Sequence, residues 1–120
     1  MLRVTVLASG SKGNAIYVEL DGIRMLVDAG ISAARITKRL QAYGIDPKSL
    51  DALLITHEHI DHVRGLKTFT RQYHVPIFAT SGTLSHLPGG GMFSKYMQSI
   101  TESIPLGNVM VHPFPILHDA

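Results

Sequence analysis

Six consecutive residues, His57-Glu58-His59-Ile60-Asp61-His62, carry three histidines and two carboxylates. With 7 histidines in 120 residues, six positions should hold roughly a third of one, so composition alone does not produce this cluster. His57 and His59 are two apart, and in an extended segment their rings leave the same face and can converge on one cation. Asp61 and His62 are direct neighbours, which a strand would send to opposite faces but the first turn of a helix can aim inward together. One metal would therefore take the His57/His59 pair, and a second the Asp61/His62 pair. Imidazole with carboxylate suits zinc best, with manganese or iron as alternatives, because these cations accept both N and O donors. The competing reading is a polar loop whose histidines are solvated or cap a helix; four ligands in this order disfavour it.

Positioning these residues falls to the flanking elements. The apolar stretch Leu53-Leu54-Ile55-Thr56 reads as the end of a buried strand, spanning 51–56, that delivers the hexapeptide into a loop. Beyond it, Val63, Leu66, Thr70 and Tyr73 keep a helical apolar stripe, with Phe69 on its flank. Arg64, Lys67 and Arg71 fall on another face of that helix; such a stripe can steer phosphates, although three charges on one helix most often form a solvated face.

Upstream, residues 3–8 and 15–20 read as strands joined by Ser9-Gly10-Ser11-Lys12-Gly13-Asn14. This loop lacks the Gly-Lys-Ser/Thr ending of a nucleotide-binding P-loop. Asp21-Gly22 is a two-residue hairpin signal that sets 23–27 antiparallel to the preceding strand. Asp28 ends that strand, either capping the next segment or supporting a metal-binding imidazole from behind. Ser32 is a candidate N-cap for a helix carrying Ala33, Ile36, Leu40 and Tyr43, stopped by Gly44, and Asp46-Pro47 opens a turn. Residues 75–79 read as a strand and 81–87 as a short helix stopped by Pro88 and Gly89 to Gly91. From 109 to 116 alternation returns, interrupted by Pro113 and Pro115, and runs into His118.

Length indicates one domain, 45% hydrophobic, with no apolar run near the ~20 residues that span a bilayer. No export signal is visible, and the absence of cysteine excludes disulfides and thiolate ligands; together these set the expectation of a cytoplasmic protein without membrane partners. A net charge of +2 is too small to argue for nucleic acid by itself.

His57-x-His59-x-Asp61-His62 after an apolar strand, with Asp28 closing an earlier one, resembles the metallo-β-lactamase superfamily. Adding Ser9 to Asn14, Asp28-Ala29-Gly30, Thr56 through Gly65 and His118-Asp119-Ala120, the chain is similar to the YycJ/WalJ (VicX-type) metallohydrolase branch, with residues 80–107 matching nothing in it. The resemblance implies an α/β (α+β) fold, an αββα sandwich of two ββα halves. Residues 1–120 would be its N-terminal half, cut short at Ala120, with a mixed, mainly antiparallel sheet and one sheet face left bare. It implies that His118 joins His57 and His59 on the first metal and that Asp28 stands behind a ligand rather than being one. Asp61 becomes the proton acceptor as well as a ligand, and the glycine-containing loop, with Ser11 and Asn14, lies beside the substrate. The second metal lacks the bridging aspartate and further histidine that the other half would supply. The implied function is metal-dependent phosphodiester hydrolysis by water activated at two divalent cations, shortening nucleic acid, DNA ahead of RNA, from a 5′ end. The 120 residues alone would bind the second metal weakly and show little or no activity. A thioester or glyoxalase-type metallohydrolase is the alternative enzyme, and a non-catalytic interaction module stabilised by metal is the alternative outside enzymes.

Overall fold

Asp21 and Gly22 both hold positive φ, 49° and 83°, the backbone that a two-residue turn between twisted strands requires. The turn joins β2 (Ala15–Leu20) to β3 (Ile23–Val27), and β2 also pairs antiparallel with β1 (Leu2–Ala8). A computed structural model describes residues 2–57, 60–79, 97–99 and 104–112. From β3 onward the pairing changes direction: β3 runs parallel to β4 (Ala52–Leu54), β4 to β5 (Ile77–Ala79) and β5 to β6 (Met97–Ser99). The six-stranded sheet has the order β1-β2-β3-β4-β5-β6. It is mixed, as expected, but parallel pairing outnumbers antiparallel, three to two. Helical crossovers after β3 and after β4 return the chain to the same end of the sheet, and that forces parallel pairing.

The first crossover is α1 (Ala33–Ala42), capped by Ser32, whose Oγ accepts from the Arg35 N–H at 3.3 Å. Ala33, Ile36 and Leu40 are its buried stripe. A 3₁₀ turn at Pro47–Ser49 follows, with Asp46 capping it, before β4. The second crossover departs from the continuous stripe expected after the hexapeptide. It divides into α2 (Ile60–Val63) and α3 (Leu66–Tyr73) around Gly65, whose N–H donates to Ala29 O at 2.7 Å instead of continuing one helix. A hairpin of β7 (Ile104–Leu106) and β8 (Val109–Val111) completes the described elements. The short strands β6 and β7 were not expected from the sequence, while the helix expected at 81–87 and the strand residues expected beyond 112 lie outside the described residues.

Alternation assigns the two sheet faces. Tyr17, Leu26, Leu53 and Ile77 lie side by side in register and are buried with Ile36, Leu40, Leu66 and Phe69 of the helices. On the opposite face Met25, Ala52 and Phe78 are covered in part by Val109 and its neighbours, whereas Leu2, Val4 and Val6 of β1 remain 61%, 54% and 55% exposed. An apolar strip along the outer strand therefore faces solvent. Among the described residues no helix is long and apolar enough to cross a membrane.

One core group titrates unusually. Burial, together with a 2.6 Å hydrogen bond to Glu19 and that carboxylate's charge, pushes the Tyr17 hydroxyl from its ordinary 10.0 up to about 12. Because the folded value is the higher one, its contribution is complete below pH ~10 and is lost as pH climbs toward 12. Urea titrations across this window should show falling stability, with the fall reduced in Tyr17→Phe.

Candidate metal centre

The C-terminal ends of β3 and β4 lie side by side, and both open into the site. Leaving β3, Asp28 takes a left-handed backbone, φ 64°, anchored by its N–H donating to Leu54 O at 2.7 Å. This turn brings its buried carboxylate beneath the residues leaving β4. Oδ1 accepts from the Thr56 N–H at 2.8 Å, and Oδ2 accepts from the Thr56 hydroxyl at 2.6 Å and from His62 Nδ1 at 2.7 Å.

These bonds decide where the imidazole protons sit. A carboxylate only accepts, so His62 carries a proton on Nδ1, and in the tautomer this bond selects the lone pair lies on Nε2. The Thr56 hydroxyl already donates its one hydrogen bond to Asp28, so at 3.1 Å it can only accept from His57 Nδ1. His57 is thereby set in the same tautomer through Thr56. The two rings lie with centroids 4.7 Å apart, and His62 Nε2 is 3.7 Å from Asp61 Oδ2. Two donors bonded to one cation at about 2.1 Å in tetrahedral geometry would lie roughly 3.4 Å apart, so the Asp61/His62 pair fits a shared metal with little adjustment.

Asp61 and His62 belong to α2, which is held by backbone contacts as well as by the burial of Val63 in the core. Asn14 N–H donates to Asp61 O at 2.7 Å, Gly30 N–H to Asn14 O at 2.8 Å, and Ala29 N–H to His62 O at 2.8 Å. So close an approach needs glycine at 30, where an added Cβ would meet Asp61 O, and at 65, where it would meet Ile31 O.

Of the residues expected at the site, Asp28, His57, Asp61 and His62 are gathered within this network. His59 and His118 lie outside the described residues. Among the described residues no three His, Cys, Asp or Glu side chains form a group that could hold a metal by themselves. Ser11 is exposed on the loop, while the Asn14 amide turns back toward Gly10 and Asp61. The Thr56 side chain joins the site although the spacing of ligand residues does not mark it. Its signal in the sequence is a hydroxyl at the last position before the first histidine, where it can reach both a ring and a neighbouring strand end.

The family model of the metallo-beta-lactamase superfamily matches residues 8–119. The chain belongs to this superfamily. It is 34% identical over 128 residues to exodeoxyribonuclease WalJ of Streptococcus pneumoniae serotype 2, an alignment covering 98% of this chain and 46% of that protein. To exodeoxyribonuclease YycJ of Bacillus anthracis it is 35% identical over 123 residues, covering 99% and 47%. The chain thus spans about half the length of these relatives. A solved B3 metallo-beta-lactamase with an active site glutamic acid superposes with a TM-score of 0.76 at 15% identity, over 91% of this chain and 47% of that one. That agreement gives the metallo-beta-lactamase fold. Superfamily members use divalent metals, generally zinc.

Proposed function

We propose that these residues form the metal-binding, N-terminal half of an αββα enzyme that hydrolyses phosphodiester bonds, removing nucleotides from a 5′ end of DNA. The observation that carries the reading is the Asp28-Thr56 network, which fixes the tautomers of His57 and His62 beside the Asp61 carboxylate. Structural loops do not need two imidazoles held this way, whereas metal ligands do. The exodeoxyribonuclease names of WalJ and YycJ supply the substrate class.

In this reading His57, His59 and His118 hold one divalent cation and Asp61 with His62 the other, zinc first, with manganese or iron as alternatives. Cations bound there would make water acidic enough to attack at neutral pH and would offset negative charge gathering on the phosphate. The Asp61 carboxylate takes the proton that the attacking water gives up. Asp28 and Thr56 keep both rings from rotating, so that Nε2 and not Nδ1 meets the cation. In this reading the exposed Ser11 meets a phosphate oxygen of the strand. DNA rather than RNA is the substrate, and the protein works in the cytoplasm, in keeping with its lack of cysteine.

The test is release of label from duplexes carrying it at the 5′ or the 3′ end, using the full-length protein that contains this chain. Manganese- or zinc-loaded protein should degrade from the 5′ end. A chelator should abolish turnover, and His57→Ala should lower it roughly 100-fold or more with the fold retained. Chelator-resistant hydrolysis, or a His57→Ala variant that loses stability rather than turnover, would overturn the reading.

A further inference from the structure

We infer that Asn14 is a positioning residue, acting through Asp61 rather than by contact with substrate. The inference rests on the metal reading of Asp61. A side-chain amide offers two N–H donors and one carbonyl acceptor. At Asn14 the carbonyl Oδ1 accepts from the Gly10 N–H at 3.1 Å. Nδ2 lies 3.0 Å from Gly10 O, 3.2 Å from Asp61 O and 3.4 Å from Asp61 Oδ2, so its two hydrogens already have three acceptors. Its main chain is engaged as well, the N–H with Asp61 O at 2.7 Å and the C=O with Gly30 N–H at 2.8 Å. Each polar group of Asn14 thus has a partner within the protein, and binding a phosphate would mean breaking one of these bonds.

The atom at the far end of the amide shows its effect. Asp61 Oδ2 has Asn14 Nδ2 at 3.4 Å and His62 Nε2 at 3.7 Å. A neutral donor orients the carboxylate without competing for it as a cation would, and it ties the loop of residues 10–14 to the first turn of α2. Removing that donor frees Asp61 to rotate away from His62. An aspartate at 14 would do more, placing a second negative charge against Oδ2.

Cobalt(II) titration of the metal-free full-length protein, followed by visible absorption, separates the two equivalents. In Asn14→Ala the Asp61/His62 equivalent should weaken about 10- to 100-fold while the other keeps its affinity. Asn14→Asp, nearly isosteric, should weaken it at least as much, and serves where Asn14→Ala fails to fold. Turnover should fall in kcat at limiting metal and recover at excess metal, with KM unchanged. Either variant binding both equivalents like the wild type would overturn the assignment, as would a rise in KM that excess metal does not correct, the mark of a substrate contact. A variant that loses metal-free stability to urea with cobalt affinity intact would make Asn14 structural only. Wild-type protein that takes up no cobalt would remove the metal reading beneath the inference, an outcome distinct from all of these.

Discussion

Gly30→Ala should cost about 3 kcal/mol or more and leave little folded protein, an effect in the range of severe packing defects. The methyl group would stand far inside contact distance of Asp61 O and 2.5 Å from both Asn14 N and Asp61 C. All three are backbone atoms, so no rotamer change can make room. Relief requires separating the 28–31 segment from α2 or from the glycine-containing loop, and both are hydrogen-bonded to it through Gly30 N–H to Asn14 O and Ala29 N–H to His62 O. Gly22→Ala is the comparison: φ there is +83° with nothing within 4 Å, so only the backbone penalty of about 1 kcal/mol applies. Urea melts of both proteins check the difference. A Gly30→Ala protein no less stable than Gly22→Ala would mean that α2 is not held by these contacts.

Asp28→Asn should weaken metal binding about 10- to 100-fold while the chain still folds. The amide has two ways to sit and neither serves. If Nδ2 takes the place of Oδ2, it donates to His62 Nδ1 and drives the imidazole proton onto Nε2, where it blocks the metal. If Nδ2 takes the place of Oδ1, it opposes the Thr56 N–H, donor against donor. The effect reaches His57, because a Thr56 hydroxyl that must accept from an amide can no longer set the His57 tautomer. Nitrogen-15 spectra of the imidazoles should show His62 changing tautomer, and cobalt titration should show the weakened affinity. An unchanged His62 tautomer with wild-type affinity would sink the proposed network.

The hexapeptide was legible because chance seldom packs ligand side chains so densely, and the Asp21-Gly22 turn and the Ser32 cap were legible because their chemistry is local. Thr56 and Gly30 were harder for a shared reason. Each matters through a residue far along the chain, 28 positions away for Thr56 and Asp28 and 31 for Gly30 and Asp61, and no window of neighbouring residues displays that. The same holds for the direction of β4 and β5, since a three-residue apolar strand reads identically in parallel and antiparallel pairing. The interruption at Gly65 came from Ala29 and Ile31 rather than from the helix's own sequence, whose apolar spacing continues across it.

The left-handed backbone at Asp28, φ 64°, lets its carboxylate reach Thr56 and His62, and glycine would adopt it more readily by about 1 kcal/mol. That gain is smaller than what the carboxylate returns, since it accepts from the Thr56 N–H, the Thr56 hydroxyl and His62 Nδ1, and hydrogen bonds to a charged group contribute about 1.5–3 kcal/mol each. A directed-evolution campaign rewarding heat resistance alone would therefore keep aspartate at residue 28, where thermal endurance and metal affinity pull the same way.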